Sequence, residues 1–275
     1  MADRDAPIGV FDSGVGGLTV AREIMRQIPD ERIVYFGDTA RVPYGSKSRS
    51  TIIKYSKQII RFLRTQKVKA IVVACNTASA VALEELETEM DIPVIGVIKA
   101  GARTAAATTR NGRIGIIATE TTISSRVYTR FLEELNPAFT VVGKACPLFV
   151  PLVEEGTFLK DPIAEEIARR YLADLKKEQI DTLILGCTHY PLMRSTVGRV
   201  MGEGVTLVNP AYETAMELKE LLCEEGIERT GGIRAQETAM HTFYVSDAPE
   251  KLEQFAKSIL PCPVSNTTQI NIEEY

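Results

Sequence analysis

Short apolar runs alternate along the chain with longer segments whose apolar side chains recur every three to four residues. The runs Ile8–Phe11, Ile33–Phe36, Ala70–Ala74, Val94–Ile98, Arg113–Ala118, Thr140–Lys144, Thr182–Leu185 and Val205–Val208 read as strands, with His241–Val245 a weaker candidate. Between them lie helical stripes. Leu18, Ala21, Met25 and Ile28 share one face, and Ile52, Ile59, Phe62 and Leu63 share another. Asp161 followed by Pro162 predicts a helix reaching Gln179, with an N-cap and then a proline at the first helical position. The polar stretch Ile227–Met240, with Gly231-Gly232, breaks the pattern and is expected to be a mobile loop. Strands alternating with helices imply an α/β protein with largely parallel sheets.

The pattern repeats. Ile8-Gly9-Val10-Phe11-Asp12-Ser13 aligns with Ile114-Gly115-Ile116-Ile117-Ala118-Thr119. Ile33–Phe36 aligns with the strand before Cys146, Pro43 with Pro151, Cys75 with Cys187, and Val94-Ile95 with Leu207-Val208. The elements keep their order and nearly their spacing. The expected fold is two similar α/β domains with mainly parallel sheets, related by a pseudo-twofold axis. The first would comprise 1–97 plus 209–275 and the second 98–208. In such sheets ligands bind outside the carboxyl ends of the strands, which places the active site in the cleft between the domains.

Composition narrows the function. The 275 residues are 45% hydrophobic and 25% charged, as in ordinary soluble chains. A net charge of −4 gives no basic field for nucleic acid or an anionic membrane. Met1–Val10 lacks the apolar core of a signal peptide. No run reaches the roughly 18 apolar residues of a membrane span. The expected compartment is the cytoplasm. Five cysteines, widely spaced and without a C-x-x-C pair, argue against a disulfide framework, a thioredoxin-type site or a zinc knuckle. Cys146, Cys223 and Cys262 are expected to be small buried hydrophobes.

Cys75 and Cys187 are different. Each ends an apolar strand and is followed by small amide or hydroxyl residues, Asn76-Thr77 in one case and Thr188, then His189, in the other. A covalent cysteine enzyme needs one thiol and a general base, and His189 could serve Cys187 but nothing equivalent stands beside Cys75. Zinc would need three or four ligands, and Cys75, Cys187 and His189 supply three only if they converge. A pair of thiols acting as acid and base on opposite faces of one substrate explains the symmetry best. A helix N-terminus or nearby cation would lower one thiol pKa toward neutrality. Asp12-Ser13-Gly14-Val15-Gly16-Gly17 fits neither a dinucleotide fingerprint nor a P-loop. It offers an exposed carboxylate and hydroxyl at a helix N-terminus, or a plain N-cap. Its glycines would let the backbone approach a ligand. Val42-Pro43-Tyr44-Gly45 reads as a turn able to cover a site. Glu154 follows Phe149–Val153 and is expected at a strand end mirroring the Pro43 loop; spacing does not separate it from Glu155.

Five segments in order, Ile8–Leu18, Pro43-Tyr44-Gly45, Ala74–Ser79, Pro147–Glu154 and Gly186–Pro191, resemble the glutamate racemases, cofactor-independent members of the aspartate/glutamate racemase superfamily. The resemblance implies interconversion of L- and D-glutamate without pyridoxal phosphate, metal or nucleotide, supplying D-glutamate for peptidoglycan. It implies that Cys75 takes the α-proton of D-glutamate and Cys187 that of L-glutamate. Asp12 and His189 would assist the thiols, with Glu154 near the second. Asp12, Ser13, Tyr44, Gly45, Asn76, Thr77, Thr188 and His189 would hold the substrate. The family's Gly-Thr-x-Gly-Thr reads Ala118-Thr119-Glu120-Thr121-Thr122 here, and only Thr122 carries over from it. Asn209–Ala215 also departs from commoner versions. Alternatives are a racemase of the same superfamily acting on aspartate or another amino-acid derivative, and a two-domain amino-acid binder that would not require paired thiols. Expected partners are the small-molecule substrate and a second copy in a homodimer, with no nucleic acid or membrane. Some family members are activated by a cell-wall precursor through an extra N-terminal segment; with seven residues before Ile8, no such activation is expected.

Overall fold

The computed structural model describes residues 3–156, 161–230, 241–264 and 266–275. The strands are β1 Ile8–Asp12, β2 Ile33–Gly37, β3 Ala70–Val73, β4 Val94–Gly96, β5 Arg113–Ala118, β6 Thr140–Ala145, β7 Thr182–Gly186, β8 Thr206–Val208, β9 Thr242–Val245 and β10 Thr268–Gln269. The helices are α1 Leu18–Gln27, α2 Arg49–Thr65, α3 Asn76–Glu89, α4 Val97–Thr108, α5 Glu120–Ser125, α6 Val127–Leu135, α7 Phe149–Glu154, α8 Pro162–Lys177, α9 Arg194–Met201, α10 Pro210–Glu224 and α11 Pro249–Ile259.

Two parallel sheets result. One has the order β10-β9-β2-β1-β3-β4 and the other β6-β5-β7-β8. The inner order β2-β1-β3-β4 is reproduced strand for strand by β6-β5-β7-β8, so the sequence repeat is a repeat of topology. Apolar residues fill both faces of the second sheet. Ile114, Ile116 and Ala118 of β5 point into a core shared with the first sheet. Ile117, with Leu183 and Leu185 of β7, faces α8 and α9. That is why the central strands β5 and β7 are apolar at nearly every position instead of alternating. Helices α4 and α10 pack on each other at the joint, and α10 also packs on α1. No helix among the described residues is long and apolar enough to cross a membrane.

Several expectations are corrected. The run Val94–Ile98 is a strand only to Gly96, and Val97 and Ile98 open α4. A Cβ at Gly96 would lie 2.8 Å from Leu83 and 2.9 Å from Ser79 Oγ, so α3 sits directly on the strand end and the chain turns there. Short apolar runs do not distinguish a strand from a buried helix start. Strand β10 is polar and exposed and gave no signal. Glu154 closes the short helix α7, not a strand. Cys223 is exposed, because the buried face of α10 runs through Ala211, Thr214, Ala215, Leu218 and Leu222 and residue 223 lies a hundred degrees off it. Cys262 is half-buried and Cys146 buried. The expected helix from Pro162 is present, and Asp161 Oδ1 accepts the N–H groups of Ile163 and Ala164 at 2.8 and 3.1 Å.

Of the expected mobile loop Ile227–Met240, residues 231–240 lie outside the described residues. Its first residues are anchored. Ile227 is buried and its carbonyl accepts from Lys69 Nζ at 2.9 Å, while the Arg229 N–H donates to Glu31 at 2.8 Å. Lys69 and Glu31 form a buried ion pair at 2.7 Å, with side chains 1% and 2% exposed. Lys69→Met would leave the Glu31 carboxylate buried without its cation, an expected loss of about 3–5 kcal/mol. A urea melt checks this, and the double change with Glu31→Leu should recover most of the loss.

Candidate active site

The carboxyl ends of the two sheets face one another across a cavity of about 310 Å³. Ten of the twelve candidate residues line it: Ser13, Tyr44, Gly45, Cys75, Asn76, Thr77, Glu154, Cys187, Thr188 and His189. Asp12 and Thr122 stand one layer behind. Pro43 and Pro151, repeat mates in sequence, both lie in the wall.

Cys75 leaves β3 and caps α3; its Sγ accepts the Ala78 N–H at 3.4 Å and lies 3.5 Å from Ser13 Oγ. Burial pushes the thiol up to about 12, and the Asp12 charge adds to this against the Ser13 and Ala78 hydrogen bonds. The expected lowering by a helix N-terminus is therefore outweighed by desolvation at this thiol, which is neutral near neutral pH.

Cys187 heads a relay. Its Sγ lies 3.8 Å from His189 Nδ1, and His189 Nε2 lies 2.9 Å from Glu154 Oε1. Burial pulls the imidazole down, but the hydrogen bonds of Cys187 and Glu154 and the charges of Cys187 and Asp12 outweigh it and hold His189 at about 10. The same His189 hydrogen bond lowers the Glu154 carboxyl against partial burial. An imidazolium donates at both ring nitrogens, one toward each partner.

Asp12 is wholly buried, not exposed as expected, and is not the N-cap of α1, which is Gly17. Its Oδ2 accepts the Gly14 N–H at 3.0 Å, and Thr188 Oγ1 donates to Oδ1 at 3.4 Å. Burial raises its carboxyl, opposed by the His189 charge and by the Gly17, Gly14 and Thr188 hydrogen bonds. Asp12 thus reaches from β1 across to the segment carrying the other thiol. The adjoining glycines make room for protein side chains. A Cβ at Gly16 would lie 2.4 Å from Thr188 Oγ1 and 2.5 Å from His189 Cε1.

The Tyr44 hydroxyl donates to the Asp38 carboxylate, which Arg41 holds at 2.8 Å, so it is committed away from the cavity. Gly45 contributes backbone, its carbonyl accepting from Thr121 Oγ1 at 2.8 Å. Thr77 Oγ1 lies 2.9 Å from Thr119 Oγ1 and 3.3 Å from Thr122 Oγ1. It is Thr119 that enters the wall, with Thr122 buried behind it. Thr119 was missed as a candidate, although the repeat marked it as the mate of Ser13. Thr19 of α1, also missed, donates to the Thr188 carbonyl at 2.9 Å. No group of three or more His, Cys, Asp or Glu side chains among the described residues is arranged to hold a metal ion.

Known proteins share this sequence pattern and this fold. The profile of the Asp/Glu/Hydantoin racemase family matches residues 8–218. The chain is 48% identical over 266 residues to a glutamate racemase of Geobacter metallireducens, covering 97% of both chains. It superposes on the glutamate racemase isoform RacE1 of Bacillus anthracis with a TM-score of 0.90 at 40% identity, covering 98% of each chain. On the Francisella tularensis glutamate racemase, solved with D-glutamate, the TM-score is 0.91 at 38% identity, covering 99% of this chain and 100% of that one. This chain belongs to the Asp/Glu/Hydantoin racemase family.

Proposed function

We propose that this protein interconverts L- and D-glutamate by passing the α-proton between Cys75 and Cys187. The observation that carries the reading is one cavity walled by two thiols, each at the end of an equivalent strand in a repeated sheet. The relatives named glutamate racemase, one of them solved with D-glutamate, support glutamate as the substrate.

The chemistry follows from the two environments. An amino-acid α-proton is a very weak acid, so the carbanion must be stabilised as it forms. The N-terminus of α3 and the hydroxyls of Ser13, Thr77, Thr119 and Thr188 supply oriented dipoles around the cavity. Two positioned acid–base groups contribute about 10²–10⁴-fold, and preorganised electrostatics must supply most of the remainder. Starting from L-glutamate, the Cys187 sulfur takes the α-proton as the C–H bond breaks. The Cys75 thiol then delivers its own proton to the opposite face and becomes a thiolate. His189 adjusts the charge at Cys187 by giving or accepting a proton, and Glu154 orients the ring. The protonated Cys75 of the free enzyme is set for this direction. The reverse direction needs Cys75 ionised. Because enantiomers have equal free energy in water, kcat/KM must be equal both ways, so this asymmetry shows only in kcat and KM taken separately.

By the same reading the enzyme supplies D-glutamate for peptidoglycan as a cytoplasmic homodimer, with units 1–97 plus 209–275 and 98–208 closing on the substrate. The test is proton NMR with L- or D-glutamate in D₂O without added cofactor. Loss of the α-proton signal with growth of the other enantiomer by polarimetry is expected from either start. Folded, reduced protein that exchanges neither enantiomer would overturn the reading.

A further inference from the structure

Tyr128 on α6 is buried at 2% exposure, yet its side chain spans the distance between the segments that carry the two thiols. Its ring lies against Gly186, the residue before Cys187, where an added Cβ would come within 3.3 Å of Cε2. Its hydroxyl passes to the other half of the molecule and donates to Asn76 Oδ1, beside Cys75, at 2.7 Å. A buried hydroxyl must place its proton on an acceptor, and among the described residues Asn76 Oδ1 is the partner it has. An asparagine side chain has one accepting end and one donating end. With the oxygen taken by Tyr128, the NH₂ group is the end left to the cavity that Asn76 lines.

We propose that Tyr128 is a positioning residue whose hydroxyl locks the Asn76 amide with its NH₂ group toward the substrate carboxylate. The inference rests on the racemase reading above for the identity of the carboxylate. An amide free to turn over would present its oxygen to the carboxylate part of the time and repel it. The locked amide instead offers N–H donors at the face where Cys75 acts, as negative charge spreads onto the carboxylate in the transition state. The phenol touches no substrate and acts only through Asn76.

Tyr128→Phe removes the hydroxyl and keeps the ring against Gly186. We expect kcat/KM to fall about tenfold, the scale of one hydrogen bond, with little change in thermal unfolding. The same change made in an Asn76→Ala background should have no further effect on rate. Equal losses in both backgrounds would show a merely structural role and overturn the proposal, as would wild-type kcat/KM in Tyr128→Phe. Asn76→Asp keeps the acceptor for Tyr128 but removes the cavity-facing donor. It should stay folded and lose about a hundredfold; near wild-type activity in it would overturn the proposal even if Tyr128→Phe does not fold. One readout is independent of turnover. The side-chain ¹⁵N–¹H₂ pair of Asn76, identified by its absence in Asn76→Asp, should be narrow in the wild type and broadened by Tyr128→Phe. A pair unaffected by Tyr128→Phe would overturn the locking role even in a protein that racemises nothing, whereas inactivity of the wild type on both enantiomers would overturn only the substrate.

Discussion

Serine in place of either Cys75 or Cys187 should reduce racemisation by about 10³-fold, with the fold intact. A hydroxyl is a far weaker acid than a thiol and cannot ionise at a useful level in a site as dry as that of Cys75, 5% exposed. In the proposed mechanism each turnover needs one thiol to take a proton and the other to give one, so losing either breaks the sequence. The double variant should therefore be little worse than either single one, because groups that act as a unit are not additive. Circular dichroism and polarimetry on the three variants decide the matter. Turnover near wild type in either single variant, or losses that multiply in the double, would sink the two-thiol mechanism.

His189→Asn carries the second large effect. Asparagine cannot carry the proton that the imidazole holds beside Cys187, and it leaves Glu154 without the partner now 2.9 Å away. Turnover should drop about a hundredfold. The effect on stability has a defined pH window. His189 titrates at about 10 in the folded chain against 6.5 for an unperturbed imidazole, so its pKa is raised by folding. A group raised in this way stabilises the fold fully below about pH 6.5 and loses that contribution as pH rises through about 10. The stability gap between wild type and His189→Asn, measured by urea melts, should thus be widest near pH 6 and narrow toward pH 10. A gap that stays constant or widens would mean that His189 is not held as an imidazolium.

Much of the fold was legible because it follows from local pattern. Parallel strands covered on both faces, as in Ala70–Val73 and Thr182–Gly186, are apolar at nearly every position and are separated by helical stripes. Where pattern misled, burial explains it. Val97 and Ile98 continued an apolar run but belong to a buried helix, and Thr268–Gln269 pairs at an exposed edge with no apolar side chain to announce it. Cys223 sits among apolar neighbours in sequence, but a turn of one residue carries it off the buried face.

The candidate site was legible in its membership and not in its couplings. The repeat pointed to both thiols, and carried to Thr119 the position of Ser13. It could not show that Glu154 meets His189 from 35 residues away, that Asp12 reaches Thr188 across the joint, or that the Tyr44 hydroxyl turns to Asp38 instead of the cavity. Those contacts join different strands and helices, and no local spacing encodes them.

The sequence by itself determined most of the element types, the twofold repeat and the placing of one cysteine at each equivalent strand end, because these depend only on the order of apolar and polar side chains along the chain. The tertiary structure decided how the two thiols differ. Desolvation and the charges brought near by folding keep Cys75 protonated and set an imidazolium beside Cys187, and both effects depend on distances through space that exist only once the two sheets face each other.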